Sequence, residues 1–243
     1  GDNDSFPLWY AQAVVGLRRD VIVAEVTYLG TEWYAQQLQN RKLEPYDKEN
    51  GPALFRDREW TMPTEPLFPL SRAELAAVPP VVALPSAQRF QHDGMDVVIG
   101  SEYLTRDQQL VLYMIRGSYP QRGIFFSYGG YAQGLGFGDH IVNFGLSQKL
   151  VSQRPEPSLD FIPLRGQELL DVAATTALWK EYRGMDALIT EDGWVDDASA
   201  GIPIMYVITG QFLAGALAAR QDSARADSVM SQVEQMVEKA RLR

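Results

Sequence analysis

Between Phe6 and Leu17 the apolar residues Leu8, Trp9, Ala13, Val14 and Leu17 fall on or near one face, which predicts a helix. Asp2, Asn3, Asp4, Ser5 and Pro7 stand at its start. Ser5 or Asp4 can cap the free N–H groups, Pro7 fits the first turn, and the acids suit the positive end of the helix dipole. Arg18-Arg19-Asp20 turns the chain, and the β-branched run from Val21 to Leu29 predicts a strand. Thr31 is placed to cap a second helix over 33–38. With a strand supplied ahead of residue 1, the order is β-α-β-α, for which a parallel sheet with right-handed crossovers is expected. The chain thus reads as entering a motif part-way, as a piece of something larger would.

From Asn40 to about Ala87 the pattern breaks up around eight prolines between Pro45 and Pro85. So long an excursion is either a functional arm or a Pro-stiffened strap, pinned by Tyr46, Phe55, Trp60 and Phe68. Inside it, Ser71 with Glu74 three residues on predicts a short capped helix over 71–77.

Regularity returns with a strand at 95–99, a helix over 106–116 capped by Thr105, and a strand at 123–128. Residues 139–146 predict a short helix with an edge strand near Leu150. Residues 169–182 predict a helix, and 185–194 a loop. At the end, 204–220 and 222–241 form a helical hairpin, the second helix burying Val229, Val233, Met236, Val237 and Ala240. The hairpin resembles one tetratricopeptide unit. No second copy recurs at a fixed period, so its apolar face must pack on the rest of the chain or on another protein. The expected class is α/β: a parallel or mixed sheet flanked by helices, a long Pro-rich arm over 40–87 and the terminal hairpin over 202–243. The expected division is an α/β body over 1–165 and a helical part over 166–243.

Composition narrows the function. The chain has 243 residues, 46% of them hydrophobic, which suits a folded core. A net charge of −9 disfavours nucleic acid and a purely electrostatic grip on anionic lipid. The absence of cysteine excludes disulfides and thiolate chemistry, and two histidines leave little for a metal site or a triad. The longest apolar run, 202–219, is interrupted by Pro203, Gly210, Gln211 and Gly215, so no transmembrane segment is expected within the chain.

Candidate chemistry is sparse. Asp2-Asn3-Asp4 is the D-x-D pattern with which many sugar-nucleotide transferases hold a divalent cation, although helix starts collect Asp for capping alone. Gly134, Gly136 and Gly138 follow a predicted strand with spacing G-x-G-x-G, which is neither a dinucleotide fingerprint nor a P-loop, and reads as a turned loop. Asp139-His140 is poor geometry for a carboxylate-oriented base, because neighbours on a helix point apart. His92-Asp93 reads as a polar surface turn. Trp194 among Glu191, Asp192, Asp196 and Asp197 resembles a sugar platform, or an acidic loop with an anchoring ring. No catalytic set, cofactor site or metal site is expected.

Several segments together resemble a family of multi-pass bacterial membrane proteins described as protein O-mannosyltransferase-like: 1–10, 18–21, 29–34, 107–115, 122–127, 134–136, 145–146 and 196–203. Gly123 and Phe125 depart from it, since the family tends to have Pro and Tyr there. The resemblance implies an extracytoplasmic region that follows a bundle of membrane spans, with the catalytic carboxylate in a part outside this chain. The expectation is a non-catalytic, peripheral binding or scaffold domain, or accessory subunit, on the periplasmic face of a bacterial membrane. It would contact a membrane protein or a membrane domain. Acceptor handling in a membrane-embedded glycosyltransferase is the alternative. The candidate contact residues are Asp2, Asp4, Trp9, Trp33, Trp60 and Trp194.

Overall fold

The computed structural model describes residues 2–127, 129–164, 168–190 and 197–242. The chain divides into two compact units, Gly1–Ile124 with Gln133–Phe137, and Phe125–Ala132 with Gly138–Arg243.

The first unit opens with α1 (Asp2–Tyr10), which runs on into a π-helical turn, Ala11–Val15, and ends at Gly16 in the left-handed region. Helix therefore begins before Ser5, and Pro7 lies inside it. Ser5 does not cap. It is buried and donates instead to Glu25. The expected strand over 21–29 does not form: residues 21–25 join no sheet ladder, and Thr27–Gly30 is a 3₁₀ turn. Side chains take over the role of a neighbouring strand. Gln12 Nε2 donates to the carbonyls of Arg18 and Val21, Arg41 donates to Val21, and Trp9 Nε1 to Val23. The backbone groups of an extended segment must be satisfied somewhere, and here the partners are local side chains. The β-α-β-α expectation for the opening fails with that strand.

Helix α2 (Glu32–Gln39) follows, but Thr31 donates its hydroxyl to Tyr28 O and makes no side-chain cap. The Pro-rich stretch carries α3 (Ala53–Arg56) and α4 (Arg72–Ala77), the latter started by the Ser71/Glu74 capping box the sequence predicts. Strands β1 (Val81–Ala83), β2 (Gln88–His92), β3 (Met95–Ile99) and β4 (Tyr103–Thr105) make two antiparallel pairs, β1 with β4 and β2 with β3. Asp93 and Gly94, both at positive φ, form the two-residue turn between β2 and β3. His92 is thus a strand end rather than a surface turn, and Nε2 contacts Tyr119 O at 2.8 Å. Helix α5 (Arg106–Ser118) begins at Thr105, whose N–H donates to Gln108. Its Arg106 is buried and caps α4 from outside, donating to Leu75 O and Val78 O.

The second unit holds a five-stranded mixed sheet. Its strands are β5 (Phe125–Phe126), β6 (Ile141–Phe144), β7 (Ser147–Leu150), β8 (Phe161–Pro163) and β9 (Leu169–Asp171), in the order β5-β7-β6-β9-β8. Among the described strands only β6 and β9 pair in parallel. The chain is therefore mixed α/β, as expected, with helices flanking a mixed sheet. Residues 141–150 form a hairpin rather than a helix, because Gly145 at φ +63 makes its turn. A Cβ at Gly145 would strike Tyr182 and Leu178. The glycine-rich segment is helical too, as α6 (Gly129–Gly134) and a 3₁₀ turn, Phe137–His140, rather than a loop. Residues 169–182 begin as strand β9 before α7 (Val172–Trp179), and α8 (Met185–Thr190) replaces part of the expected loop. The hairpin forms as predicted, from α9 (Gly201–Ala219) and α10 (Ser223–Lys239), with Asp222 capping α10. Leu213, Leu217, Val229, Val233 and Met236 build its core with Trp179.

Candidate binding surface

Three of the four predicted tryptophans fall in two ring clusters of the first unit. Trp9 and Trp33 belong to one, linked through Tyr28 and Tyr34. Centroids lie 6.2 Å apart for Trp9–Tyr28, 6.3 Å for Tyr28–Trp33 and 5.5 Å for Trp33–Tyr34, and Phe6 extends the chain at 5.7 Å from Trp9. Trp33 is 60% exposed, while Trp9 is half-buried and fixed by its bond to Val23. Trp60 lies in the second cluster, stacked on Tyr46 at 4.4 Å with Phe55 edge-on. It is 45% exposed, its indole N–H donates to Phe55 O, and Arg18 covers Tyr46. The backbone of Asp2 and Asp4 lies in α1. Their side chains, and Trp194 with its acidic neighbours Glu191, Asp192 and Asp196, lie outside the described residues.

Beneath the first cluster is a residue the sequence reading passed over. Glu25 is 4% exposed and accepts from Ser5 Oγ at 2.6 Å, Thr27 Oγ1 at 2.8 Å and Thr27 N at 3.2 Å. Its own N–H donates to Tyr34 Oη. Burial resists ionisation of this carboxyl, but hydrogen bonds, those of Ser5 and Thr27 together with one from the amino terminus, outweigh it and bring the pKa down to about 2. Burial likewise raises the Tyr34 phenol. The available signal was a lone Glu inside the apolar run 21–29. Glu25 is a structural anchor, tying α1 to the 3₁₀ turn that carries Tyr28.

The second unit has a cleft of about 450 Å³ that no motif announced. Trp179, Met185, Leu213 and Leu217 give it apolar walls, and Lys180 and Arg183 stand among its charged groups. Trp179 Nε1 donates to Gln232 at 2.8 Å across it. Among the described residues no group of three His, Asp or Glu side chains could hold a metal ion. Asp139 pairs with Arg154 at 2.9 Å, and His140 Nδ1 contacts Val151 O, so each is engaged separately.

The glycine spacing also has a packing explanation. Gly136 sits at φ +92, and a Cβ there would collide with the Val98 carbonyl. The residue permits close backbone approach.

One helix of the described residues, α9, is long and apolar enough by length and composition to cross a membrane, with 39% of its 18-residue window buried. The same test is passed by core helices of proteins that never enter a bilayer.

Neither curated proteins nor solved structures match the chain. Residues 1–62, the segment that carries both ring clusters, match the family model described as TMEM260-associated domain 2. Over those residues the chain is similar to a TMEM260-related family, which points to membrane proteins.

Proposed function

We propose that this chain is a non-catalytic, membrane-extrinsic binding or scaffold domain that contacts partner proteins of a bacterial membrane complex from the periplasmic side. The observation that carries the reading is a coincidence of position. The segment similar to TMEM260-associated domain 2 is also the one that presents Trp33, Trp60 and a series of large apolar side chains to solvent. Exposed aromatic residues held on a buried frame are the usual anchors of interfaces. The α9–α10 pair, read as a tetratricopeptide-like unit, offers a second contact face. Purification of the tagged chain from native membranes in mild detergent tests the proposal. A larger complex that is lost in the Trp33→Ala variant is expected, and a lone monomer would sink the reading. Acceptor handling in a membrane-embedded, O-mannosyltransferase-like glycosyltransferase is the second reading. The stacked, partly exposed Trp60–Tyr46 pair favours it, because such a ring face can carry a sugar.

A further inference from the structure

The helix over residues 5–15 is inverted. A helix on a water-facing surface normally turns its apolar stripe inward and its polar residues outward. Here the two side chains of purely polar type, Ser5 and Gln12, point inward, at 5% and 8% exposure. Both are satisfied there, Ser5 by Glu25 and Gln12 by the Arg18 and Val21 carbonyls and by Arg41. Phe6, Leu8, Tyr10, Val14 and Val15 point outward, with exposures from 49% at Leu8 to 66% at Val14. No charged residue lies between Ser5 and Leu17. A contiguous apolar face over a buried polar seam has the polarity expected where the outer medium is apolar.

We infer that this face lies in the interfacial zone of a phospholipid bilayer with the helix axis along the membrane plane. Three observations favour lipid over a protein groove. The uncharged run is bounded by Asp4 and Arg18, and so is far shorter than the ~20 residues a span requires, which suits an in-plane helix. Its ring chain Phe6–Trp9–Tyr28–Trp33 mixes apolar bodies with polar tips, the composition of interfacial belts. Cations gather around Gln12, near the C-terminal end of the helix. Arg19 is bonded to Gln12 O, Arg41 to Gln12 Oε1, and Lys42 is exposed next to Arg41, an arrangement complementary to headgroup phosphates. The overall charge of −9 opposes anionic surfaces. Apolar insertion therefore supplies the affinity, and the local cations set the orientation. This inference rests on the membrane association proposed above and names the surface that makes it.

The test is flotation of the purified full chain with protein-free vesicles of phosphatidylcholine, alone or mixed with phosphatidylglycerol. Binding to neutral vesicles that survives high salt is expected. A Tyr10→Ser/Val14→Ser variant, altered only at exposed positions and checked for an unchanged melting curve, should partition roughly tenfold less. Equal partitioning of variant and wild type, or no binding to either vesicle type, overturns the inference. If the chain binds neither vesicle yet co-purifies with a membrane protein, the lipid surface is refuted and the scaffold reading stands. If it floats with vesicles but no partner co-purifies, the lipid surface stands and the scaffold reading falls.

Discussion

Replacing Glu25 tests whether one buried carboxylate holds the first aromatic cluster in place. Glu25→Ala removes the acceptor for three hydrogen bonds, at 2.6, 2.8 and 3.2 Å. Bonds to an ionised acceptor are worth about 1.5–3 kcal/mol each, so the gross loss is roughly 5–9 kcal/mol. Against it stands the relief of a buried charge, which costs several kcal/mol to desolvate. Water entering the vacated space can also serve the stranded Ser5 and Thr27 hydroxyls. The expected net destabilisation is about 2–4 kcal/mol, a large part of a typical domain's stability. Glu25→Gln keeps the shape and one acceptor, and should lose about 1–2 kcal/mol. The two variants also differ from wild type in acid. The folded-state pKa of about 2 lies below the ordinary 4.5, so the stabilisation is full above pH 4.5 and is lost as the pH falls through 2. Urea unfolding followed by tryptophan fluorescence, repeated between neutral pH and pH 2, reads both effects, and hydrogen exchange over 21–30 localises them. If Glu25→Ala unfolds within 0.5 kcal/mol of wild type, a limit of about the ordinary surface-mutation scatter, the anchoring role is wrong. It is equally wrong if Glu25→Gln retains the full acid dependence.

Two glycines of α9 should respond to alanine with opposite signs. A Cβ at Gly210 would lie 2.7 Å from Trp179 Cη2 and also strike Val233, so Gly210→Ala should lower stability by about 1–3 kcal/mol. Gly215 faces open space, so Gly215→Ala should raise it by about 0.5–1 kcal/mol, and thermal melts of the pair decide the matter. Arg106→Met strands the Leu75 and Val78 carbonyls and should cost about 1–3 kcal/mol in denaturant titrations. In alkali, burial raises Tyr182 to about 12 from the ordinary 10.0. The second unit should therefore keep its full stability below pH 10 and lose it as the pH climbs through 12. Tyr182→Phe should flatten that loss in an alkaline titration followed by phenolate absorbance, with Tyr206, also raised by burial, supplying the remainder.

Features written in local chemistry were legible in the sequence. Ser71 with Glu74 and Thr105 at the head of α5 announce helix starts three residues deep, and α10 spells out its buried face at Val229, Val233 and Met236. Features that depend on a remote partner were not. The run 21–29 has strand composition, yet a strand needs a neighbour, and Gln12, Arg41 and Trp9 fill that position instead. Ile141–Phe144 is too short for periodicity to separate strand from helix, and Gly145 was the overlooked turn signal. At the candidate surface the tryptophans were visible by type alone. Their grouping depended on Tyr28, Tyr34 and Tyr46, and the buried Glu25 was hidden within a strand-like run.

Hydropathy and side-chain exposure single out different helices. By length and composition α9 qualifies for a bilayer, whereas the apolar run over 5–17 is too short. Exposure adds a second criterion. In α9 the residues Val207, Leu213, Ala214, Ala216 and Leu217 are covered, and Gly210 admits Trp179 and Val233 against its backbone, while Ile202, Ile204, Met205 and Ile208 stay partly exposed. In the N-terminal helix Ser5 and Gln12 take inner positions, and Phe6, Leu8, Tyr10, Val14 and Val15 are left outside. A core helix gains nothing from that arrangement. Apolar contact at the outer face would lower its free energy, which is why we propose this shorter helix for lipid contact.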